Sequence, residues 1–168
     1  GFDHILFILG LFFFSHKLQR LLIQVTTFTI AHSITLIFGG LGYITISPLI
    51  IEVIIAASII WIGFENLFRK KMKVSRLGFI FTFGLIHGLG FASMFKLKEL
   101  EGTDYYLNLL SFNIGIELGQ LITLLPLIIL IPLFNRLSWY RILIAMPASI
   151  IIALFGVEMF IDLSLIHI

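Results

Sequence analysis

The sequence predicts an all-α, multi-pass membrane protein: about six transmembrane helices in one bundle, with both termini outside. Three observations carry that prediction. Of the 168 residues, 60% are hydrophobic and only 12% are charged, and the mean hydropathy of +1.13 is that of a chain solvated by lipid. The apolar stretches are long enough for about 20 residues at a time to cross a bilayer core. Lys and Arg cluster in alternate connections, as the positive-inside rule requires. Residues 1–168 read as a single transmembrane helical domain.

Each span has its own justification. The first, 1–16, would reach only about 24 Å at about 1.5 Å per residue. It opens on Gly1 and not on Met, so the chain reads as processed or as a fragment that an external domain could precede. No basic segment precedes the apolar run, which argues against a retained signal peptide. Leu21 to Ile51 carries no formal charge and is too long for one untilted helix. Gly39-Gly40-Leu41-Gly42 and Pro48 place a tight turn inside it, giving spans at 20–43 and 48–68. Span four covers 75–95. Span five, 105–134, is long, and Pro126 and Pro132 are expected to kink it or end it early. Span six covers 140–162.

The orientation follows from basic residues. Lys17, Arg20, Arg69, Lys70, Lys71, Lys73, Arg76, Arg136 and Arg141 fall in the connections on one side. Lys96 and Lys98 stand on the other, diluted by Glu99, Glu101 and Asp104. The first group is expected in the cytoplasm, and the chain in a bacterial cytoplasmic membrane. The Arg-Lys-Lys-Met-Lys run is a topology signal, not a nucleic-acid patch.

Composition excludes much chemistry. There is no cysteine, so disulfides, thiolate metal sites and Cys nucleophiles are out. Four scattered methionines make no soft Cu(I) path. No phosphate-binding GxxxxGK[ST] loop is present, so ATP-driven pumping would need a partner. The eighteen phenylalanines read mostly as lipid-facing filler.

Against this background, ionisable residues inside apolar spans are costly and point to function. His32, His87 and Glu117 each lie about twelve residues into a span, and Asp3-His4 opens span one. Two deep histidines with carboxylates are a ligand set for imidazole-binding divalent metals. Asn113, Glu117 and Gln120 follow i, i+4, i+7 and form one polar stripe. Thr26, Thr29 and Ser33 flank His32 and are expected to orient its ring. Glu52 opens span three on the outer side; Glu65 and Asn66 stand at its inner end, where polar residues are few. Gly84 and Gly88 on span four, and Gly115 and Gly119 on span five, read as packing devices that let a neighbouring backbone approach. Phe28-x-x-x-His32 and Phe83-x-x-x-His87 form a faint repeat. Glu158 and Asp162 read as solvated, His16 as surface, and His167 as irrelevant.

These residues carry a family resemblance. Gly1-Phe2-Asp3-His4-Ile5-Leu6-Phe7 resembles the G-x-D-H-x-L-F opening of the HupE/UreJ membrane proteins. Residues 28–36 (FTIAHSITL) are similar to their F-T-x-A-H-S-x-T-L segment. Residues 83–92 (FGLIHGLGFA) are similar to F-G-L-x-H-G-x-G-F-A, and residues 112–120 (FNIGIELGQ) to F-N-x-G-x-E-x-G-Q. The sequence is closer to the broader second branch of the family. The resemblance implies a hydrogenase- and urease-associated nickel or cobalt permease, with Asp3, His4 and His87 as metal-handling positions.

The expected function is therefore binding of a divalent transition-metal ion (Ni, Co or Zn) and its transport inward. Asp3, His4, His32, His87 and Glu117 would be ligands; Thr29, Ser33, Asn113, Gln120 and Glu52 would orient them or line the pathway. The same residues would also serve a zinc-type intramembrane hydrolase, so the sequence does not decide whether the protein is an enzyme. A third reading is a non-catalytic assembly subunit. Expected partners are the metal ion and the lipid bilayer, with a homo-oligomer or a partner subunit left open; nucleic acid is not expected.

Overall fold

The computed structural model describes residues 2–14, 17–68, 73–94, 103–134 and 139–165. They form six α-helices: α1 (Phe2–Phe14), α2 (Leu18–Gly40), α3 (Pro48–Phe68), α4 (Val74–Met94), α5 (Thr103–Phe134) and α6 (Met146–Leu165). Among the described residues, five stretches are long and apolar enough to cross a membrane. The thirteen-residue α1 is not.

The predicted turn between α2 and α3 is present. Tyr43 N–H donates to Phe38 O (3.0 Å) and Gly42 N–H to Gly39 O (2.9 Å). Gly42 adopts φ +80°, the left-handed conformation that closes a helix cheaply only at glycine. Pro48 then starts α3, where its missing N–H costs nothing. A five-residue π-helical turn, Arg141–Ala145, leads into α6. It sits just before Pro147, which has no N–H to give the carbonyl of Leu143. The expectation that Pro126 or Pro132 ends span five early is not met: α5 continues to Phe134. Each proline removes a single hydrogen bond from a helix of 32 residues, which does not terminate it.

Two helix pairs make the most extensive contacts, α2 with α4 and α3 with α6. Both depend on glycine. A Cβ at Gly84 would stand 2.6 Å from Phe28 O, and one at Gly88 would collide with His32 O and Thr35 Oγ1. Gly63 meets Ser149 O and Gly156 meets Ile60 N in the same way. The small-residue line on α4 therefore does what its spacing suggests. The line on α5 does not: a Cβ at Gly115 or Gly119 would meet nothing within 4 Å. Spacing gave the stripe but not its direction; α5 turns Gln120 and Leu124 inward, which leaves both glycines on the outside.

α1 lies against both pairs. Phe7, Leu11 and Phe12 pack with Phe28 of α2, Ile59 and Ile62 of α3 and Ile80 of α4. Phe7, Phe12 and Phe28 are fully buried, so several phenylalanines build the core and are not filler facing lipid.

A second correction concerns Arg76. Counted as a loop cation, it is instead a buried residue of α4, 1% exposed. Its guanidinium pairs with Glu65, donates to Gln24 Oε1 (2.7 Å) and Asn66 Oδ1 (3.3 Å), and lies over the Phe14 ring. Asn66 Nδ2 donates in turn to Gly10 O (2.7 Å) and to Ser149 Oγ (3.3 Å). This network joins α1, α2, α3, α4 and α6 at the end of the bundle that carries Lys17, Lys73 and Arg141.

Candidate metal centre

Helix geometry brings the histidines together. Phe28 and His32 are four residues apart on α2, and Phe83 and His87 on α4, so each pair shares one face of its helix. Close approach at Gly84 and Gly88 sets those faces side by side. The first turn of α1 stands against both. Phe7 stacks on Phe28 (4.9 Å) and meets Phe83 edge-on (6.1 Å). His4 meets His32 edge-on at 5.1 Å and His87 at 4.7 Å between ring centroids. His4, His32 and His87 are all buried. Phe28 and Phe91 complete a wall, Phe91 lying 4.6 Å from His4 and 5.7 Å from His32.

Hydrogen bonds fix where two of these rings carry their protons. His4 Nδ1 lies 3.1 Å from Asp3 Oδ2. An ionised carboxylate only accepts, so the proton belongs to Nδ1 and the lone pair of a neutral ring to Nε2. Ser58 Oγ donates its one proton to Ile55 O at 2.6 Å. It therefore accepts from His87 Nε2 at 3.0 Å, and the His87 lone pair is on Nδ1. Those lone-pair nitrogens, His4 Nε2 and His87 Nδ1, are buried without a hydrogen-bond partner, as is His32 Nε2. A buried polar atom without a partner costs free energy unless something occupies it. Nitrogen donors with their protons held away by carboxylate and hydroxyl match the outer partners of metal-bound histidines.

Asp3, His4 and His87 each offer a ligand atom within 4.8 Å of the others. Ligand atoms around one tetrahedral ion stand about 3.4 Å apart for bonds near 2.1 Å. While Asp3 accepts from His4 Nδ1 it stands behind that ring, and it joins an ion on His4 Nε2 only by giving up that hydrogen bond. His32 flanks the group through His4.

Glu117 belongs to α5, but its side chain is outside the described residues, as are His16 and His167. Thr29 does not turn to His32: its hydroxyl donates to Gln120 Oε1 (2.9 Å), tying α2 to α5. Gln120 is thus an interhelical contact and borders a cavity with His4. Ser33 and Asn113 are half-buried. Glu52 is exposed on the first turn of α3 and lines a cavity of about 570 Å³ with Asp3 and Asp162. Ser58 escaped the sequence reading, since a lone serine in an apolar span resembles any helix-packing serine. Its signal was a hydroxyl at the depth of His87 on the neighbouring helix.

A family model described as HupE / UreJ protein matches residues 1–163. No curated protein and no solved structure matches the chain.

Proposed function

The chain belongs to the HupE/UreJ family, and from that premise we propose that it binds a divalent transition-metal ion within the membrane and passes it across. The observation that carries this reading is the pair of fixed tautomers: His4 and His87 each hold one proton on an outer partner, Asp3 and Ser58, and keep a buried lone pair without a hydrogen-bond partner. Two imidazoles and a carboxylate suit Ni²⁺, Co²⁺ or Zn²⁺ and discriminate against Mg²⁺ and Ca²⁺, which want all-oxygen shells. The cavity lined by Asp3, Glu52 and Asp162 supports an approach route. Its carboxylates lower the electrostatic cost of a dication near apolar walls.

One observation favours a second reading. At the basic end, beyond the histidines, the buried Glu65–Arg76 ion pair ties α3 to α4. A site reached from one side only suits a metal-dependent intramembrane hydrolase, in which an ion on three protein ligands activates water.

Metal counting on purified protein, loaded with one ion at a time, tests the shared premise. We expect about one Ni²⁺, Co²⁺ or Zn²⁺ per chain, a raised melting temperature on loading, and loss of both in His32→Ala and His87→Ala. Equal metal-induced stabilisation in the parent and in both variants would overturn the site. Uptake of the bound metal into sealed proteoliposomes then separates the readings. Transport predicts accumulation, the hydrolase none.

A further inference from the structure

The histidine nitrogens without partners are sealed: His4 Nε2, His32 Nε2 and His87 Nδ1 have almost no surface open to water. An ion therefore reaches them only if a wall moves. Two cavities approach the cluster. One, of about 570 Å³, is lined in part by Asp3, Glu52 and Asp162. The other, of about 230 Å³, lies between α1, α4 and α5 and is bordered by His4, Ile5 and Gly119. Phe91 is a wall of both. Its ring centroid stands 4.6 Å from that of His4 and 5.7 Å from that of His32. On α4 it follows His87 by four residues, so it sits on the same face, one turn nearer the carboxylate-lined cavity.

The backbone that carries this ring is pinned on both sides. A Cβ at Gly90 would stand 2.9 Å from Ile55 Cδ1 and 3.3 Å from Ile51 Cγ2 of α3. Ala92 is buried against α2, where a Cβ at Gly39 would stand 2.6 Å from its own. α4 cannot shift here without disturbing one contact or the other, which leaves the Phe91 side chain as the part that moves. That side chain is only half-buried, and it has somewhere to go. A cavity of about 150 Å³ is enough to hold benzene, so the space between α1, α4 and α5 can receive a phenyl ring, and Ile5, Ile8 and Ile116 give that space apolar walls. A helix leaves an aromatic side chain two of the three staggered χ1 wells, and exchange between them swings the ring without moving the backbone. We propose that the Phe91 ring is a door between the carboxylate-lined cavity and the histidine lone pairs: it turns into the space between α1, α4 and α5 to admit an ion and returns to seal the site. The proposal rests on the metal-binding reading above and adds the step that sets the rate of loading and release.

Rapid mixing of Co²⁺ with the purified full chain, read by the visible absorption of the bound ion, tests the door. A gate alters the barrier and not the end states, so Phe91→Ala should raise the on-rate and the off-rate together by about tenfold and leave Kd within about threefold of the parent. Gly119→Leu should slow both rates by filling the space that receives the ring. Gly115→Leu should change neither, since Gly115 does not line that space. Neither glycine variant meets a clash, because the space around both is open. Unchanged rates in Phe91→Ala, or a Kd that rises with the off-rate alone, overturns the door. So does equal acceleration by Phe83→Ala, whose ring lies one turn to the other side of His87 and reports general loosening. Diethyl pyrocarbonate, which acylates neutral imidazole, gives a second readout that needs no metal. It should modify His4 and His32 faster in Phe91→Ala than in the parent or in Phe83→Ala, and equal rates overturn the door. A parent that binds no Co²⁺ refutes the metal reading, while the reagent still decides whether Phe91 covers the histidines.

Discussion

At the scale of single residues, the candidate centre is arranged less by its ligands than by the groups behind them. Asp3 and Ser58 decide which nitrogen of His4 and of His87 is free. Outer partners of this kind typically affect metal affinity 10–100-fold. Asp3→Asn should therefore weaken Ni²⁺ or Zn²⁺ binding by about that factor while the protein still inserts and purifies. Titration with thermal unfolding as readout checks it, and an unchanged affinity would remove Asp3 from the site. Asp3, His4, His32 and His87 were legible in the sequence because a charge or imidazole in an apolar run is conspicuous. Ser58 was not, because serine is common in packed membrane helices. Thr29 was misassigned: proximity along α2 suggested His32, but its hydroxyl reaches across to Gln120 of α5.

At the scale of helices, glycine spacing was readable but its direction was not. Gly88 is pressed against the backbone of His32, while Gly115 and Gly119 share the same four-residue period and face open space. The difference lies in what accompanies them. Lipid tails are as apolar as leucine, so nothing drives an apolar face inward, and a few polar contacts choose the side that packs. On α5 that contact is Gln120, nearly opposite Gly115 on the helix circumference. Gly88→Ala should destabilise the protein by about 1–3 kcal/mol, as overpacking does, and should disturb His32. Gly115→Ala should be neutral or stabilise by up to about 1 kcal/mol, since alanine is the better helix former. Thermal unfolding of both variants in one detergent checks the pair. A costly Gly115→Ala would mean that its face packs against a neighbour after all.

At the scale of the whole molecule, the six-helix organisation and the α2–α3 turn followed from the sequence, though α1 is too short to count with the five helices long enough to span; the polar clamp at the basic end did not. The positive-inside rule weighs a cation by its position along the chain, and Arg76 stands next to a run of lysines. Its partners, Gln24 on α2 and Glu65 with Asn66 on α3, reach the same end of the bundle from two separate stretches of chain, a coincidence visible only after folding. Arg76→Leu and Glu65→Leu should each cost about 3–5 kcal/mol, because each strands a buried charge. The double variant should cost clearly less than the sum, a coupling that a double-mutant cycle reads directly; strict additivity would mean that the pair does not interact. The basic end should also face the cytoplasm. A reporter fused beside Lys73 that reads as external would reverse the orientation. The clamp has a further consequence for how the protein is made. A lone arginine is among the hardest side chains to leave in a membrane. Phe14, Gln24, Glu65 and Asn66 all precede Arg76 in the chain, so its partners have been synthesised by the time it leaves the ribosome. Among the described residues of the network, Ser149, which holds Asn66 and not the guanidinium, arrives afterwards. The order of the sequence thus lets the most expensive residue of the bundle be neutralised during translation, before α5 and α6 exist.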